Sequence, residues 1–274
     1  MYRRMRTALV LLLLLAALPA YAQVRIDETT VGGPRSGKPV ELYLPQTAPA
    51  AAVIVLHGCD GVGPHYREWA ARLAEWGYAA LLIDSFNPRG FIQVCNHGRL
   101  VPAELQAADA FAGAAYLRVR PDLHIQRVGV IGFSHGGWAV LKAVLAGVVR
   151  PPSQPPFAAA VAYYPGCDPP ASPLETDTLI LIGGADEWTP AARCERWRAL
   201  ANPNGHTLEM TVYPGAFHAF DAPSPPHDFA GHHVGQDPAA RSASIAATQG
   251  FFAARLGNAT GPPHSPVAPQ SPPR

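Results

Sequence analysis

The sequence has little charge and no surplus of either sign. Only 15% of its 274 residues are charged, and 21 lysines and arginines stand against 20 acidic residues. Proteins that bind nucleic acid through its phosphates need a basic surplus, so this composition predicts no nucleic-acid partner. The hydrophobic fraction of 48% excludes a mostly disordered chain, a coiled coil and a collagen, and it predicts a globular protein with a substantial core.

The apolar run near the N-terminus is too short to span a bilayer comfortably. It covers residues 7–18, follows three arginines within the first six positions, and precedes a small-x-small sequence at 20–22. This order is typical of a secretory signal peptide, so we expect residues 1–22 to be removed by cleavage after Ala22. An uncleaved N-terminal anchor is the alternative. The prediction is an exported protein, periplasmic or secreted, with no stable membrane span after cleavage.

Cysteine is scarce and lacks the spacing of a metal site. The sequence has four cysteines and no CxxC pair. In an exported protein an even number of cysteines predicts disulfides, and four cysteines allow three pairings. The residues alone leave the pairing open among Cys59, Cys95, Cys167 and Cys194.

Apolar runs of strand length alternate with stretches of helical periodicity along most of the chain. Strands are predicted at residues 40–44, 51–56, 78–83, 127–133, 157–164, 178–182 and 207–213, the first paired antiparallel with a short run at 24–26. Helices are predicted at 65–76, 103–118, 136–147, from Pro190 to about 201 with Thr189 as N-cap, and at 242–256. This alternation predicts one α/β domain over residues 23–257, with a mostly parallel central sheet flanked by helices.

Two stretches depart from this alternation. Residues 84–102 lack periodicity between a predicted strand and a predicted helix, and loops of this length in compact domains are usually functional. Residues 258–274 hold six prolines and almost nothing apolar, which predicts a disordered tail.

The most informative chemical motif is the G-x-S-x-G sequence at residues 132–136. A predicted strand leads into it and a predicted helix follows, which is the context of a nucleophile elbow. Small residues at Gly132 and Gly136 permit the tight turn that lifts Ser134 above the sheet. The alternative is an ordinary strand-to-helix turn with a serine N-cap. We predict that Ser134 is a nucleophile.

A serine nucleophile needs a base, and the base needs a carboxylate that orients it. Asp186 follows a predicted buried strand and a glycine turn, 52 residues after Ser134, and His218 follows the next predicted strand, 32 residues later. This matches the chain order of serine, carboxylate and histidine in α/β hydrolases. Both residues lie past strand ends, where an open α/β sheet places its ligand site. We predict that Asp186 orients the general base His218.

Other carboxylates fit the triad less well. Glu187 would point away from its neighbour Asp186. Asp168 and Asp177 precede the strand that they would need to follow, and Asp221 breaks the chain order.

Other histidines are assigned different roles. His57 and His135 flank glycine turns and are interpreted as pocket lining. A metal site or solvated side chains could explain the cluster of His227, His232 and His233, and solvation is favoured because no carboxylate stands at ligand spacing. We therefore predict no metal site.

Backbone N–H groups are needed to stabilise the negative oxygen of a tetrahedral intermediate. One donor is predicted at His135, directly after the nucleophile. The second is predicted in the glycine-rich loop at residues 57–61, at Cys59, with Asp60 as the alternative.

Several short sequences together resemble the dienelactone hydrolase family of the α/β-hydrolase superfamily, over residues 38–256. They lie at 57–58, 83–86 with 89–90, 132–137, 162–166, 183–186 and 213–220. The resemblance implies an α/β-hydrolase fold and hydrolysis of a small-molecule ester or lactone without a cofactor.

The founding enzymes of that family differ from this chain at two kinds of position. They carry a cysteine at the elbow, where this chain has Ser134, and they hold a substrate carboxylate with arginines. Arg89 corresponds to one of these arginines, and Asp221 stands where the second is expected. The resemblance therefore supports an ester hydrolase without identifying dienelactone as its substrate.

The strand order of the superfamily also bears on the cysteines, because its third and fourth strands are neighbours and so are its sixth and seventh. The resemblance thus implies the pairs Cys59–Cys95 and Cys167–Cys194. The first bridge would join the loop at 84–102 to the predicted oxyanion loop.

Phe86, Arg89 and Trp188 are predicted to line the substrate pocket, because they lie on loops at the same end of the sheet. Two rival functions remain open. One is another acyl chemistry on the same scaffold, by a peptidase, a polyester depolymerase or an acyltransferase. The other is a non-catalytic exported binding protein. The sequence leaves the oligomeric state open.

Overall fold

The computed structural model describes residues 24–25 and 40–257. The predicted signal peptide at 1–22 and the predicted disordered tail at 258–274 lie outside the described residues. Within the described part, no helix combines the length and apolar character needed to cross a membrane.

The described chain contains ten strands and five α-helices. The strands are β1 (Val24–Arg25), β2 (Val40–Tyr43), β3 (Ala51–Leu56), β4 (Ala79–Ile83), β5 (Arg127–Phe133), β6 (Ala159–Tyr163), β7 (Thr178–Gly183), β8 (Leu208–Tyr213), β9 (His227–Phe229) and β10 (His232–Val234). The helices are α1 (Pro64–Glu75), α2 (Ala103–Val119), α3 (His135–Ala143), α4 (Ala191–Leu200) and α5 (Pro238–Leu256).

Eight of the strands form one sheet in the order β1-β2-β4-β3-β5-β6-β7-β8. The strands from β4 to β8 in that order pair in parallel, whereas β2 pairs antiparallel with both β1 and β4. Every residue of β3, β4, β6 and β7 is buried, which explains their unbroken apolar sequences. The structure confirms the predicted α/β architecture with a mostly parallel sheet.

Two helix boundaries differ from prediction by four residues, for local reasons. Helix α3 ends at Ala143 rather than 147, because Leu145 pairs with Leu174 and takes the chain away from the helix axis. Helix α5 begins at Pro238 rather than 242, because the Asp237 side chain caps it by accepting the N–H of Ala240 at 2.9 Å.

Thr189 is not the N-cap of helix α4, which was a wrong prediction. The helix begins at Ala191, and Pro190 occupies the cap position. The Thr189 hydroxyl lies instead within hydrogen-bonding distance of Asp186 Oδ2, at 2.8 Å, and of the Tyr164 carbonyl oxygen, at 3.0 Å.

The antiparallel hairpin β9–β10, at residues 227–234, was not predicted. Its strands have three residues each, too few for alternation to stand out from a polar loop. The hairpin is joined to the sheet region by a parallel bridge between Val234 and His218.

Candidate active site

Ser134 lies on a strained turn between β5 and α3. Its backbone has φ 52° and ψ −111°, a conformation that non-glycine residues rarely adopt. The chain crosses itself closely here: a Cβ atom on Gly132 would lie 2.2 Å from the Gly136 carbonyl oxygen, and one on Gly136 would lie 2.3 Å from the Leu56 carbonyl oxygen. Glycine is therefore required at both positions for steric reasons, as the motif predicts.

The structure brings Ser134, His218 and Asp186 into one hydrogen-bonded chain. The Ser134 Oγ atom lies 2.9 Å from His218 Nε2, and His218 Nδ1 lies 2.8 Å from Asp186 Oδ2. The histidine and the aspartate are almost fully buried, with 3% and 4% exposure. Because an aspartate oxygen accepts at Nδ1, the imidazole carries its proton there, and Nε2 is left to accept the serine proton.

Asp186 is held by donors from Trp188 and Thr189, two and three residues later in the chain. Its Oδ1 atom accepts the N–H groups of Trp188 and Thr189, at 2.9 and 2.8 Å. Its Oδ2 atom lies 2.8 Å from the Thr189 hydroxyl, which is also 3.2 Å from His218 Nδ1. Thr189 thus touches both the carboxylate and the imidazole. Sequence reasoning missed this role, although an aspartate at the start of a loop turn is a known signal for such backbone contacts.

His218 is fixed from several sides. Its carbonyl oxygen accepts the N–H of Gly235 at 3.0 Å, next to its bridge with Val234. Its ring packs against the ring of Tyr164, with centroids 4.7 Å apart, and against the ring of Trp188, at 4.9 Å. The hairpin and two aromatic rings therefore position the imidazole.

The other carboxylates considered from sequence lie elsewhere. Glu187 is exposed, Asp168 pairs with Lys142 and Arg193, and Asp177 pairs with Arg255.

Asp221 is fully buried but belongs to a separate cluster. Its two oxygens accept the Trp69 indole N–H and the Tyr164 hydroxyl, both at 2.7 Å. His65 Nε2 lies 3.3 Å from the same carboxylate. Burial by itself would raise the pKa of Asp221, but the neighbouring His65 and these hydrogen bonds outweigh it and hold the pKa below its usual value. Asp221 is therefore a buried anion.

Two cavities meet at Ser134. The larger one, of about 320 Å³, extends from Ser134 and His218 towards the hairpin β9–β10. The smaller one, of about 220 Å³, lies against the Cys59–Cys95 disulfide and Trp138. Ser134, Cys59 and Trp188 line both cavities. The site is thus a pocket with two arms around one hydroxyl group.

The predicted oxyanion donors lie beside Ser134. His135 is the first residue of helix α3, so its N–H has no partner within the helix. Cys59 lines both cavities, and its carbonyl oxygen accepts the Val94 N–H at 2.8 Å. Cys59 is also bonded to Cys95, so the loop at 84–102 supports this turn covalently. The second disulfide joins Cys167 and Cys194, and both pairs are those that the resemblance implies.

Of the three predicted pocket residues, only Trp188 lines these cavities. Phe86 is fully buried and packs in a small cluster with Val94 and Val101. Arg89 donates to both oxygens of Asp109, at 2.6 and 3.0 Å, and its charge is therefore paired away from the pocket. The placement of Phe86 and Arg89 in the pocket is wrong, because core packing and an ion pair hold their side chains.

The histidines outside the triad have varied environments. His57 lines neither cavity and is fully buried, contrary to the prediction, and burial lowers its pKa. Its Nε2 atom accepts the Ser85 N–H and its Nδ1 atom lies 2.8 Å from the Gly58 carbonyl oxygen, so it is a neutral support of the oxyanion loop. His135 lines the smaller cavity, and burial lowers its pKa as well.

The hairpin histidines are spread over different contacts. His227 lines the larger cavity, His232 stacks on Trp188, and His233 lies 3.0 Å from Asp228. Over the described ranges, no group of three or more possible ligands is arranged to hold a metal ion.

Comparison with known proteins gives concordant matches. The model of the dienelactone hydrolase family matches residues 39–256. A candidate carboxymethylenebutenolidase of Methylorubrum extorquens is 28% identical over 188 residues, and this match covers 64% of our chain and 64% of that relative's length. The match thus spans slightly less than two thirds of the relative.

Solved structures match over more of the chain. A candidate dienelactone hydrolase from Klebsiella pneumoniae superposes with a TM-score of 0.66 at 25% identity, over 83% of this chain and 97% of that one. Esterase 2 of Thermogutta terrifontis, in a structure phosphorylated by paraoxon, has a TM-score of 0.63 at 16% identity, over 88% and 96% of the two chains. The second match shows the fold alone. These matches confirm the predicted resemblance and the α/β-hydrolase fold.

Proposed function

Because the chain belongs to the dienelactone hydrolase family, we propose that it is an exported serine hydrolase that cleaves a small ester or lactone through an acyl-enzyme. The observation that carries this proposal is the hydrogen-bonded chain from Ser134 through His218 to Asp186, at the point where two cavities meet. A binding protein would not need all three groups in this order and geometry.

The reaction begins with attack of Ser134 Oγ on the substrate carbonyl carbon while His218 Nε2 takes the serine proton. Asp186 accepts the Nδ1–H of His218 and stabilises the imidazolium that forms. The N–H groups of His135 and Cys59 stabilise the negative oxygen of the tetrahedral intermediate. His218 then gives the proton to the leaving alcohol. In the second half of the reaction His218 takes a proton from water, the water attacks the acyl-enzyme carbonyl carbon, and the proton returns to Ser134 Oγ as the acid is released.

The two cavities fit the two sides of an ester. The acyl group and the alcohol group lie on opposite sides of the carbonyl carbon, and each cavity offers space to one of them. Their volumes of about 320 and 220 Å³ suit small substrates, since drug-sized ligand sites occupy roughly 300–1,000 Å³.

The decisive experiment compares wild-type protein with Ser134→Ala on p-nitrophenyl esters of short acyl chains. We expect turnover by the wild type and a loss of at least about 10³-fold in the variant. Paraoxon provides a second readout, because an esterase of the same fold carries its phosphoryl group: intact mass should show one added diethylphosphoryl group on the wild type and none on Ser134→Ala. Turnover that survives Ser134→Ala would show that the elbow serine is not the nucleophile.

Export is supported by the sequence of residues 1–22 and by two disulfides in a chain of four cysteines. Expression of the full chain in a bacterium, followed by fractionation and N-terminal sequencing, tests it. We expect the periplasmic or secreted product to begin at Gln23. A cytosolic product that retains Met1 would contradict export.

A further inference from the structure

A carboxylate stands on the wall of the larger cavity, and the proposed reaction does not use its charge. Asp60 lines this cavity together with Ser134 and His218. The buried Tyr66 hydroxyl donates to Asp60 Oδ1 at 2.5 Å and so fixes the orientation of the carboxylate. Burial, and then the negative charge of Asp60, raise the pKa of Tyr66 well above its ordinary value, so Tyr66 stays a neutral donor.

Permanent positive charge is missing from both cavities. Neither has a lysine or an arginine among its lining residues in the part of the chain that the structure describes. Lys142 lies over the ring of Trp138, which lines the smaller cavity, but its ammonium group pairs with Glu104 and Asp168. Arg89 is held by Asp109. Among the described residues that line the two cavities, none therefore offers a permanent positive charge to a substrate carboxylate.

The histidines of the larger cavity do not replace such a partner. His65 faces the buried anion Asp221, so a proton on His65 would be balanced by that carboxylate. His227 Nδ1 lies 2.9 Å from the Pro225 carbonyl oxygen, and His218 is committed to Asp186 and Ser134.

We propose that Asp60 makes this pocket select uncharged esters and reject esters that carry a carboxylate. Asp60 is exposed but lines the cavity, so an anionic substrate bound there would bring like charge within a few ångströms of its carboxylate, and such charges repel at the effective dielectric of a protein surface. This inference rests on the proposed hydrolase function and gives it a substrate class. The expected discrimination is about tenfold or more in kcat/KM.

The experiment compares one neutral ester with two anionic ones. p-Nitrophenyl hexanoate is the neutral substrate. Mono-p-nitrophenyl adipate has an acyl chain of the same length with a terminal carboxylate, and the hexanoate ester of 5-hydroxy-2-nitrobenzoic acid carries the carboxylate on the leaving group. Both sides of the carbonyl are therefore tested. The assay is run at pH 8, above the ordinary pKa range of histidine.

The readout is the ratio of kcat/KM for the neutral ester to that for each anionic ester, because a general loss of activity cancels in it. We expect a ratio of about ten or more for at least one anionic ester in the wild type. Asp60→Asn keeps the size of the side chain and removes its charge, and should lower that ratio about tenfold.

Asp228→Asn is the matched control. It removes the same charge from the hairpin, between two residues that line the cavity, but Asp228 itself is 85% exposed and does not line it. Its ratio should stay within about twofold of the wild type, since its carboxylate does not line the cavity and solvent and salt screen it from a bound ester. Raising the ionic strength to about 0.5 M should lower the neutral-to-anionic ratio of kcat/KM in the wild type and leave this ratio unchanged in Asp60→Asn.

The possible outcomes are distinct. Similar turnover of all three esters by the wild type would support the proposed hydrolase function and overturn the proposed selectivity. An unchanged ratio in Asp60→Asn, or the same shift in Asp228→Asn, overturns the role of Asp60. If no ester is turned over and paraoxon does not label Ser134, the hydrolase itself is wrong and the inference is wrong with it.

Discussion

Asp186 and Asp221 are two buried carboxylates on neighbouring loops, and their surroundings differ in one decisive respect. Each accepts hydrogen bonds from other groups, and each has a histidine nearby. His218, the partner of Asp186, is also hydrogen-bonded to Ser134. The groups that donate to Asp221 are instead the indole N–H of Trp69 and the hydroxyl of Tyr164. Burial and hydrogen-bond donors are thus common to both carboxylates, and what distinguishes Asp186 is its connection through His218 to the proposed nucleophile Ser134.

The largest expected effect is the loss of kcat caused by the substitution Asp186→Asn. The amide oxygen can still accept the N–H groups of Trp188 and Thr189, so the fold should be kept. The amide NH₂ group would face His218 Nδ1 and favour the tautomer that cannot accept the serine proton. We expect kcat to fall by about 10³–10⁴-fold, measured on p-nitrophenyl esters, with thermal unfolding nearly unchanged.

The reverse result is expected for Asp221→Asn. An amide NH₂ group there would face the Trp69 N–H or the Tyr164 hydroxyl. Two hydrogen-bond donors would then point at each other in a fully buried site, and neither would have an acceptor. The free energy of unfolding should fall by about 3 kcal/mol, measured with urea, while kcat of the folded enzyme stays within about tenfold. A collapse of kcat with unchanged stability would mean that Asp221 acts in catalysis.

The pH dependence of stability sharpens the same contrast. The folded-state pKa of Asp221 is lowered, so its contribution is fully present above the unfolded pKa of about 3.9 and is lost as pH falls through the folded value. The stability difference between wild type and Asp221→Asn should therefore be constant above about pH 5 and shrink on acidification below about pH 4. Urea titrations at several pH values measure it, and a difference that grows in acid would contradict the lowered pKa.

The smallest effect is expected at Thr189, whose hydroxyl touches Asp186 and His218 and also the Tyr164 carbonyl oxygen. Thr189→Val keeps the shape and the backbone N–H but removes the hydroxyl that touches Asp186 and His218. We expect kcat to fall about fivefold to tenfold with KM nearly unchanged, since the net contribution of one hydrogen bond is about 1 kcal/mol and about 1.4 kcal/mol is tenfold in rate. The matched control, Thr189→Ser, should retain activity and the wild-type pH profile. Equal losses in both variants would point to packing rather than the hydroxyl.

The fold and the triad geometry follow closely from sequence because they depend on local patterns. Unbroken apolar runs mark the buried strands that precede Ser134 and Asp186, and His218 follows the half-exposed strand β8. Parallel strands bring their carboxyl ends together, so chain order is enough to select these residues from other serines, aspartates and histidines.

The walls of the pocket could not be predicted in the same way, because they depend on the direction of individual side chains. Phe86 and Arg89 lie on the expected loop, yet Phe86 turns into a core and Arg89 turns to Asp109, a residue of helix α2. Thr189 fits an N-cap pattern, but a nearby carboxylate binds its hydroxyl instead. Tertiary partners decide these positions, and no short sequence motif contains them.

The crossing of chains at the elbow has a consequence for how such enzymes diversify. The close approaches at Gly132 and Gly136 involve backbone atoms only, so none of them depends on the side chain between these glycines. The backbone therefore fixes the position of the side-chain atom at residue 134, and it does not require that this atom be oxygen rather than sulfur. Exchange of oxygen for sulfur at this single atom would alter nucleophilicity and leave the path of the chain as it is, which makes the choice of nucleophile a one-atom step in evolution.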